Sequence, residues 1–173
     1  MKRRSAQFEA RWNEWFKTYH RAIHGYLYSL TQSVHLADDL TQETFLRVWE
    51  RYDSYEERGS AKAFLFRVAT HCLKDWFRRH SETLCDEETW NIMLEQESDE
   101  LPDQMAEKSE EAKILHETMK FLTPAQRQVL TMHFFGQLKF QEIAESLEMP
   151  LNTVLSHARR GMIVLKEKFG ANP

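Results

Sequence analysis

A chain of 173 residues with 42% hydrophobic content can hold one core or two small ones, while 5 Gly, 4 Pro and few β-branched runs favour an all-helical fold. No apolar stretch approaches the roughly 18 residues of a membrane span or the core of a cleavable signal, so no membrane insertion and a cytoplasmic location are expected. The net charge of -4 conceals a partition: residues 1–80 carry 14 Lys/Arg against 10 Asp/Glu, residues 81–119 carry 2 against 13, and residues 120–173 carry 7 against 4. Two basic modules flank an acidic strip, so the overall charge does not exclude nucleic-acid binding.

Large apolar residues at Phe8, Trp12, Trp15, Phe16, Tyr19, Ile23, Tyr26, Leu27 and Leu30 step by three and four, which predicts a long amphipathic helix with an aromatic core face. Gln32 and Ser33 break it. A second helix is predicted from about Val34 to Arg51, with Leu36, Ala37, Leu40, Thr44, Phe45, Val48 and Trp49 on its inner side. Its early carboxylates, Asp38, Asp39 and Glu43, suit the helix dipole and also form an acidic surface fit for a basic protein partner.

Residues 52–60 read as a polar loop with a turn glycine. A third helix, about Ala61 to His80, interleaves Phe64, Phe66, Trp76 and Phe77 with Lys62, Arg67, Lys74, Arg78 and Arg79. Some of the rings must be core, yet cations beside aromatics are what single-stranded DNA requires: charge for phosphates, rings or pockets for unstacked bases. Cys72 and Cys85 form no disulfide framework, and His71, Cys72, His80 and Cys85 match no usual zinc spacing, so no metal and no cofactor is expected.

Residues 81–108 are acidic with little apolar content and read as a flexible linker, with a transient turn at Trp90 to Leu94. Such a polyanion could also occupy a basic groove as a DNA mimic. A helix from about Ser109 to Leu122 is expected next, and Thr123-Pro124 starts another. The last stretch, Leu122 to Phe169, has the pattern of a helix-turn-helix. Ile143, Ala144 and Leu147 make an apolar stripe whose small member, Ala144, admits a second helix, and Pro150 places the break at Glu148 to Pro150. The second helix is then free to enter a major groove with Asn152, Thr153, Ser156, His157, Arg159 and Arg160 exposed.

Taken together, these stretches resemble the small extracytoplasmic-function (ECF) sigma factors of the sigma-70 family, over nearly the whole chain. Ala37-Asp38-Asp39-Leu40-Thr41-Gln42-Glu43-Thr44-Phe45-Leu46-Arg47-Val48-Trp49 is similar to the family's region-two helix and is the most specific of the motifs. Phe64-Leu65-Phe66-Arg67-Val68-Ala69, followed by Asp75, Arg78 and Arg79, resembles the next helix, and Leu122 to Phe169 resembles region four. The resemblance implies two small helical domains, residues 1–80 and 109–173, joined by the linker 81–108. It implies docking on the β′ clamp helices of core RNA polymerase through Asp38, Asp39, Gln42, Glu43 and Arg47. It implies melting and capture of minus-10 DNA by Tyr55, Arg58, Lys62, Arg67, His71, Lys74, Arg78 and Arg79. Minus-35 duplex would be read by Asn152, Thr153, Ser156, His157, Arg159 and Arg160, with region four touching the β flap. Family members are commonly held by an anti-sigma protein between the two domains, which adds a further implied partner; phosphorylation or the acidic linker itself are other routes of control.

The chain departs from the family at several positions. Asn152-Thr153-Val154-Leu155-Ser156-His157 stands where Gly-Thr-Val-Lys-Ser-Arg is usual, which removes two cations and predicts weak autonomous duplex binding with a shallow salt slope. His71 and Phe64 stand where Asn and Trp are common, and Lys139 where a Ser often caps the first helix of the pair, weakening that cap. Leu122-Thr123 and Asn152-Thr153-Val154 also resemble LuxR-type regulators, which bind duplex DNA as dimers, but residues 1–80 offer no sensor or receiver pattern. Catalysis is not expected: Asp38 and Asp39 point apart on a helix, the histidines are scattered, and no glycine-rich phosphate loop is present.

Overall fold

Hydroxyl caps and left-handed turns divide the chain into helices. The computed structural model describes residues 6–51, 60–80, 117 and 119–170. Among them are six helices and no strand: α1 (Ala6–Thr31), α2 (Val34–Arg51), α3 (Ala61–His80), α4 (Pro124–Phe134), α5 (Phe140–Leu147) and α6 (Leu151–Gly170). Tyr55, Arg58, Cys85, the acidic linker and most of the helix expected over 109–122 lie outside the described residues.

Helix α1 stops because Gln32 turns left-handed at φ 53° and donates its N–H to Tyr28 O. Ser33 then caps α2, its Oγ accepting from Leu36 N–H at 3.3 Å. Ser60 caps α3 likewise, accepting from Ala63 N–H at 3.1 Å. Thr123 and Gln126 form a reciprocal capping box at α4, with Pro124 in its first turn. At α5 the expected weak cap appears: the Lys139 ammonium has no acceptor to offer, and the Glu142 carboxylate instead accepts from Lys139 N–H at 2.8 Å. Glu148 closes α5 in the left-handed region at φ 56°, and Pro150 O receives the Val154 N–H of α6.

Helices α1, α2 and α3 pack together, α4, α5 and α6 form a second group, and one continuous core joins them through α1 with α4 and α3 with α5. At that joint the Tyr26 hydroxyl is fully buried. It receives a hydrogen bond from Gln128 Nε2 at 2.6 Å and lies 2.8 Å from Thr70 Oγ1, which donates to Phe66 O. Donation from Tyr26 to Thr70 completes a relay across α4, α1 and α3 in which both hydroxyl protons are used. Burial pushes the Tyr26 hydroxyl up to about 12, so it stays protonated as the relay needs. Nearby, the buried Arg127 guanidinium donates to the carbonyls of Met119, Lys120 and Leu122 and reaches Ser29 O at 3.4 Å. Burial draws its pKa below the ordinary value, but a guanidinium remains charged.

Between α2 and α3, Arg47 bridges Glu43 and Asp75, with Nη1 2.7 Å from Asp75 Oδ2. Arg78 and Arg79 join the same group at 3.0 Å from Asp75 and 3.5 Å from Glu43. Burial alone would lower the Arg47 pKa, and the hydrogen bonds to Asp75 and Glu43 outweigh it and raise it. The hydrogen bond from Arg47 holds the Asp75 carboxyl below its usual range. Cys72 lies beneath this cluster, where burial pushes its thiol up to about 11 and keeps it protonated and unreactive at neutral pH.

Two glycines and one carboxylate yield predictions. A Cβ at Gly136 would sit 2.5 Å from Met132 O and 2.8 Å from Phe66 Cζ, so Gly136→Ala is expected to lose about 1–3 kcal/mol in urea unfolding. Gly25 has open space in mid-helix, and Gly25→Ala is expected to gain about 0.5–1 kcal/mol. Because the folded Asp75 pKa is lowered, its contribution is complete above the unfolded carboxylate pKa and disappears as pH falls through the folded one. Wild type should exceed Asp75→Asn by no more than about 1 kcal/mol at pH 7, and the two unfolding midpoints should converge below about pH 4.

Candidate nucleic-acid and protein interface

The outward face of α2 is shaped by which of its charges are already paired. Asp38, Asp39 and Gln42 are exposed, whereas Glu43 and Arg47 are half-buried in the cluster with Asp75. Asp38 Oδ1 lies 3.0 Å from His24 Nε2 of α1, leaving Asp39 and Gln42 as the open polar edge. One turn on, Leu46 is 56% exposed; it stands outside the apolar stripe expected for α2, and the sequence reading gave it no role. An acidic and amide edge beside an exposed isobutyl group suits a basic protein surface and repels DNA.

Helix α3 divides its aromatic and basic residues. Phe66 and Phe77 are core, Phe64 is half-buried near Trp15, and half-buried Trp76 stacks on His80 with ring centroids 4.3 Å apart. Lys74, Arg78 and Arg79 are exposed and Arg67 is half-buried. Toward the helix-turn-helix, Lys62 Nζ donates to Gln137 O at 3.3 Å, and His71 Nε2 lies 3.6 Å from Glu148 Oε1. Ser60 Oγ donates to Glu142 Oε1 at 2.7 Å, and Ser146 Oγ lies 3.0 Å from Ala63 O. One face of α3 is therefore cationic and open, and the other is held by α5 and its flanking turns.

The pair α5–α6 has the expected geometry. Ile143, Ala144 and Leu147 are buried, and the turn spans Glu148 to Pro150. Val154, Ala158, Gly161 and Leu165 form the inner seam of α6, with Gly161 so near Leu130 that a Cβ would meet Leu130 Cδ1 at 2.7 Å. That seam fixes the rotation of the helix. Asn152, Thr153, Arg159 and Arg160 are exposed; Ser156 and His157, expected to be exposed, are half-buried, His157 because it flanks the seam. The sequence reading passed over Leu151 and Leu155, which are 37% and 41% exposed.

On the other side of α6, against α4, lies an open apolar groove of about 820 Å³. Phe134, Phe135, Met162 and Ile163 line it, each about half exposed, with Arg159 and Lys166 at its rim. A four-residue spread of exposed large apolar side chains is an interaction surface rather than scattered exposure. Its signal in the sequence was the pair Phe134-Phe135 at the end of α4 and Met162-Ile163 on α6, more apolar positions than one seam can bury. Among the described residues no cluster of three or more His, Cys, Asp or Glu could hold a metal, and no helix is long and apolar enough to cross a membrane.

Comparison with known proteins bears on the family of the chain. Residues 15–83 match Sigma-70 region 2, and residues 112–165 match Sigma-70, region 4. The chain is 27% identical over 155 residues to the ECF RNA polymerase sigma factor SigX of Bacillus subtilis, covering 88% of this chain and 80% of that one. It is 28% identical over 156 residues to SigM of the same organism, covering 88% and 93%. In fold it is similar to the sigma factor RpoE of Bartonella quintana, solved with the anti-sigma factor NepR, at a TM-score of 0.76 and 18% identity over 98% of this chain and all of that one. It is also similar to CnrH, solved with the cytosolic domain of CnrY, at a TM-score of 0.68 and 17% identity over 95% and 91%. An α2–α3 pair with an acidic edge and a basic face, followed by a helix-turn-helix, is the region-two and region-four plan, and the chain belongs to the ECF sigma factors of the sigma-70 family, which direct promoter-specific initiation of transcription.

Proposed function

We propose how this chain divides that work among its residues. Asp38, Asp39 and Gln42, with Leu46 beside them, dock on the β′ clamp helices of core polymerase, while Glu43 and Arg47 hold α2 against α3 so that this edge is presented rigidly. Tyr55 and Arg58, with Lys62, Arg67, His71, Lys74, Arg78 and Arg79 of α3, engage the opened minus-10 strand. Asn152, Thr153, Ser156, His157, Arg159 and Arg160 read the minus-35 duplex, and the groove at Phe134 and Ile163 takes an apolar element of the β flap. Residues 1–80 and 109–173 act as separate modules joined by residues 81–108. The chain is a binding factor without catalytic chemistry, works in the cytoplasm with the polymerase, and is a target for an anti-sigma protein.

The observation that carries this reading is the segregation of surfaces. The acidic edge of α2, Lys74, Arg78 and Arg79 of α3, and Asn152, Thr153, Arg159 and Arg160 of α6 are all exposed, and the first two sets have the charge their partners demand. The reading also has a conformational requirement. Lys62 and His71 face Gln137 and Glu148 of the second unit, and promoter elements lie tens of ångströms apart, so the two units must part before both are engaged.

Transcription from a promoter library with core polymerase, with and without the chain, should yield transcripts that start downstream of one shared two-element promoter only when it is present. Core-independent duplex binding with no initiation would favour a dimeric LuxR-type regulator instead. Asp39→Arg should weaken polymerase binding at least tenfold with unchanged helicity; unaltered affinity would remove Asp39 from the docking edge. Ser29 Oγ and Thr131 Oγ1 are 3.2 Å apart across the joint, so a disulfide between cysteines at these two positions would hold the units together. In Ser29→Cys/Thr131→Cys/Cys85→Ser, the oxidised form should fail to initiate and reductant should restore it; full activity when oxidised would show that parting is unnecessary.

A further inference from the structure

The first two turns of α6, Leu151 to Ala158, contain no lysine or arginine. Their outward side chains are the Asn152 amide, the Thr153 hydroxyl and two leucines, of which Leu155 is 41% exposed. Because Val154, Ala158 and Leu165 lock the helix by its inner seam, Asn152, Leu155, Ser156 and Arg159 share one outward face at spacings of three, four and seven. A single exposed leucine on a protein surface is ordinary. Here, however, it lies on the face that enters the major groove, with an amide one turn before it and a guanidinium one turn after.

The groove floor presents hydrogen-bonding base edges and one apolar group, the C5-methyl of thymine. A leucine placed against any other base edge would strip water from a polar atom without replacing its hydrogen bond. Asn152, one turn away, carries the amide whose two-pronged geometry matches adenine N6 and N7. We propose that Leu155 is a specificity-determining residue of this chain, reading the 5-methyl group of one thymine in the minus-35 duplex. This rests on the assignment of α6 to that duplex. With no cation in these turns, sequence preference at this step comes from methyl burial, and burying one methyl group corresponds to about three- to fivefold in affinity.

Deoxyuridine differs from thymidine only by that methyl, which makes the test direct. Holoenzyme assembled from core polymerase and the full chain is bound to its promoter, and each minus-35 thymine is replaced singly by deoxyuridine. Wild type should lose about three- to fivefold in affinity at one position, and Leu155→Ala should bind both forms of that promoter equally. Leu155→Lys should also be indifferent to the methyl while its salt slope steepens by about one. An element without thymine, no methyl-sensitive position, or sensitivity that survives in Leu155→Ala would each overturn the assignment. Loss of any minus-35 footprint by wild-type holoenzyme would instead overturn the parent reading and this inference with it.

Discussion

The structure depends on a buried hydroxyl. Tyr26 lies where α1, α3 and α4 meet, and its oxygen serves one neighbour as acceptor and the other as donor. An apolar side chain there would fill the space but would take from the Gln128 amide its acceptor and from the Thr70 oxygen its donor in a dry site. The polar relay therefore restricts how the two groups of helices can meet: their apolar faces could slide, but the hydrogen bonds fit one register. Around it, Phe66 against Gly136 and Arg127 reaching Ser29 O of α1 reinforce that register with shape and charge.

This joint also explains why single residues serve two purposes. Glu43 and Arg47 belong by sequence to the acidic motif of α2, yet their side chains are spent largely within the protein, tying α2 to Asp75 and Arg79. In the proposed docking their effect would be through the rigidity of the edge formed by Asp39 and Gln42. Lys62 and His71 are similarly occupied, facing a carbonyl and a carboxylate that DNA phosphates would replace in the open arrangement. Because Lys62 donates to an exposed carbonyl and the His71–Glu148 contact is largely solvated, these contacts are weak and exchangeable, whereas the Tyr26 relay beneath them is dry.

Most of the fold was legible because the helices are long and their punctuation is strong. The boundaries of α2 and α3 fall at the residues the apolar periodicity indicates, and α1 extends only slightly beyond Phe8 to Leu30, since Ser33 and Ser60 are hydroxyl caps and Gln32 ends α1. The turn from Glu148 to Pro150 was legible from Pro150 alone. What sequence could not supply is pairing across distance. Nothing local to Tyr26 announces Gln128, and nothing in the α2 motif says that Arg47 turns inward to Asp75 while Asp39 stays out. Exposed apolar residues were hidden for a related reason: Leu155 and Phe134 follow helical spacing that fits a core stripe, and only the packed neighbours show which stripe is covered.

The distribution of charge on α6 bears on how such a factor finds promoters. Phosphate contacts supply most nonspecific affinity for duplex DNA, and the first two turns of α6 supply none from lysine or arginine, leaving Arg159 and Arg160 one turn further on. On the proposed assignment the isolated helix-turn-helix would be poorly retained on random duplex, while base-edge contacts at Asn152 and Leu155 would still separate one site from another. Once polymerase holds the N-terminal unit at a promoter, the second contact is intramolecular, and a weak but selective reader becomes sufficient. In that reading affinity belongs to the assembly and discrimination to α6, and a chain whose DNA-reading helix is short of cations would bind promoters strongly only when polymerase carries it there.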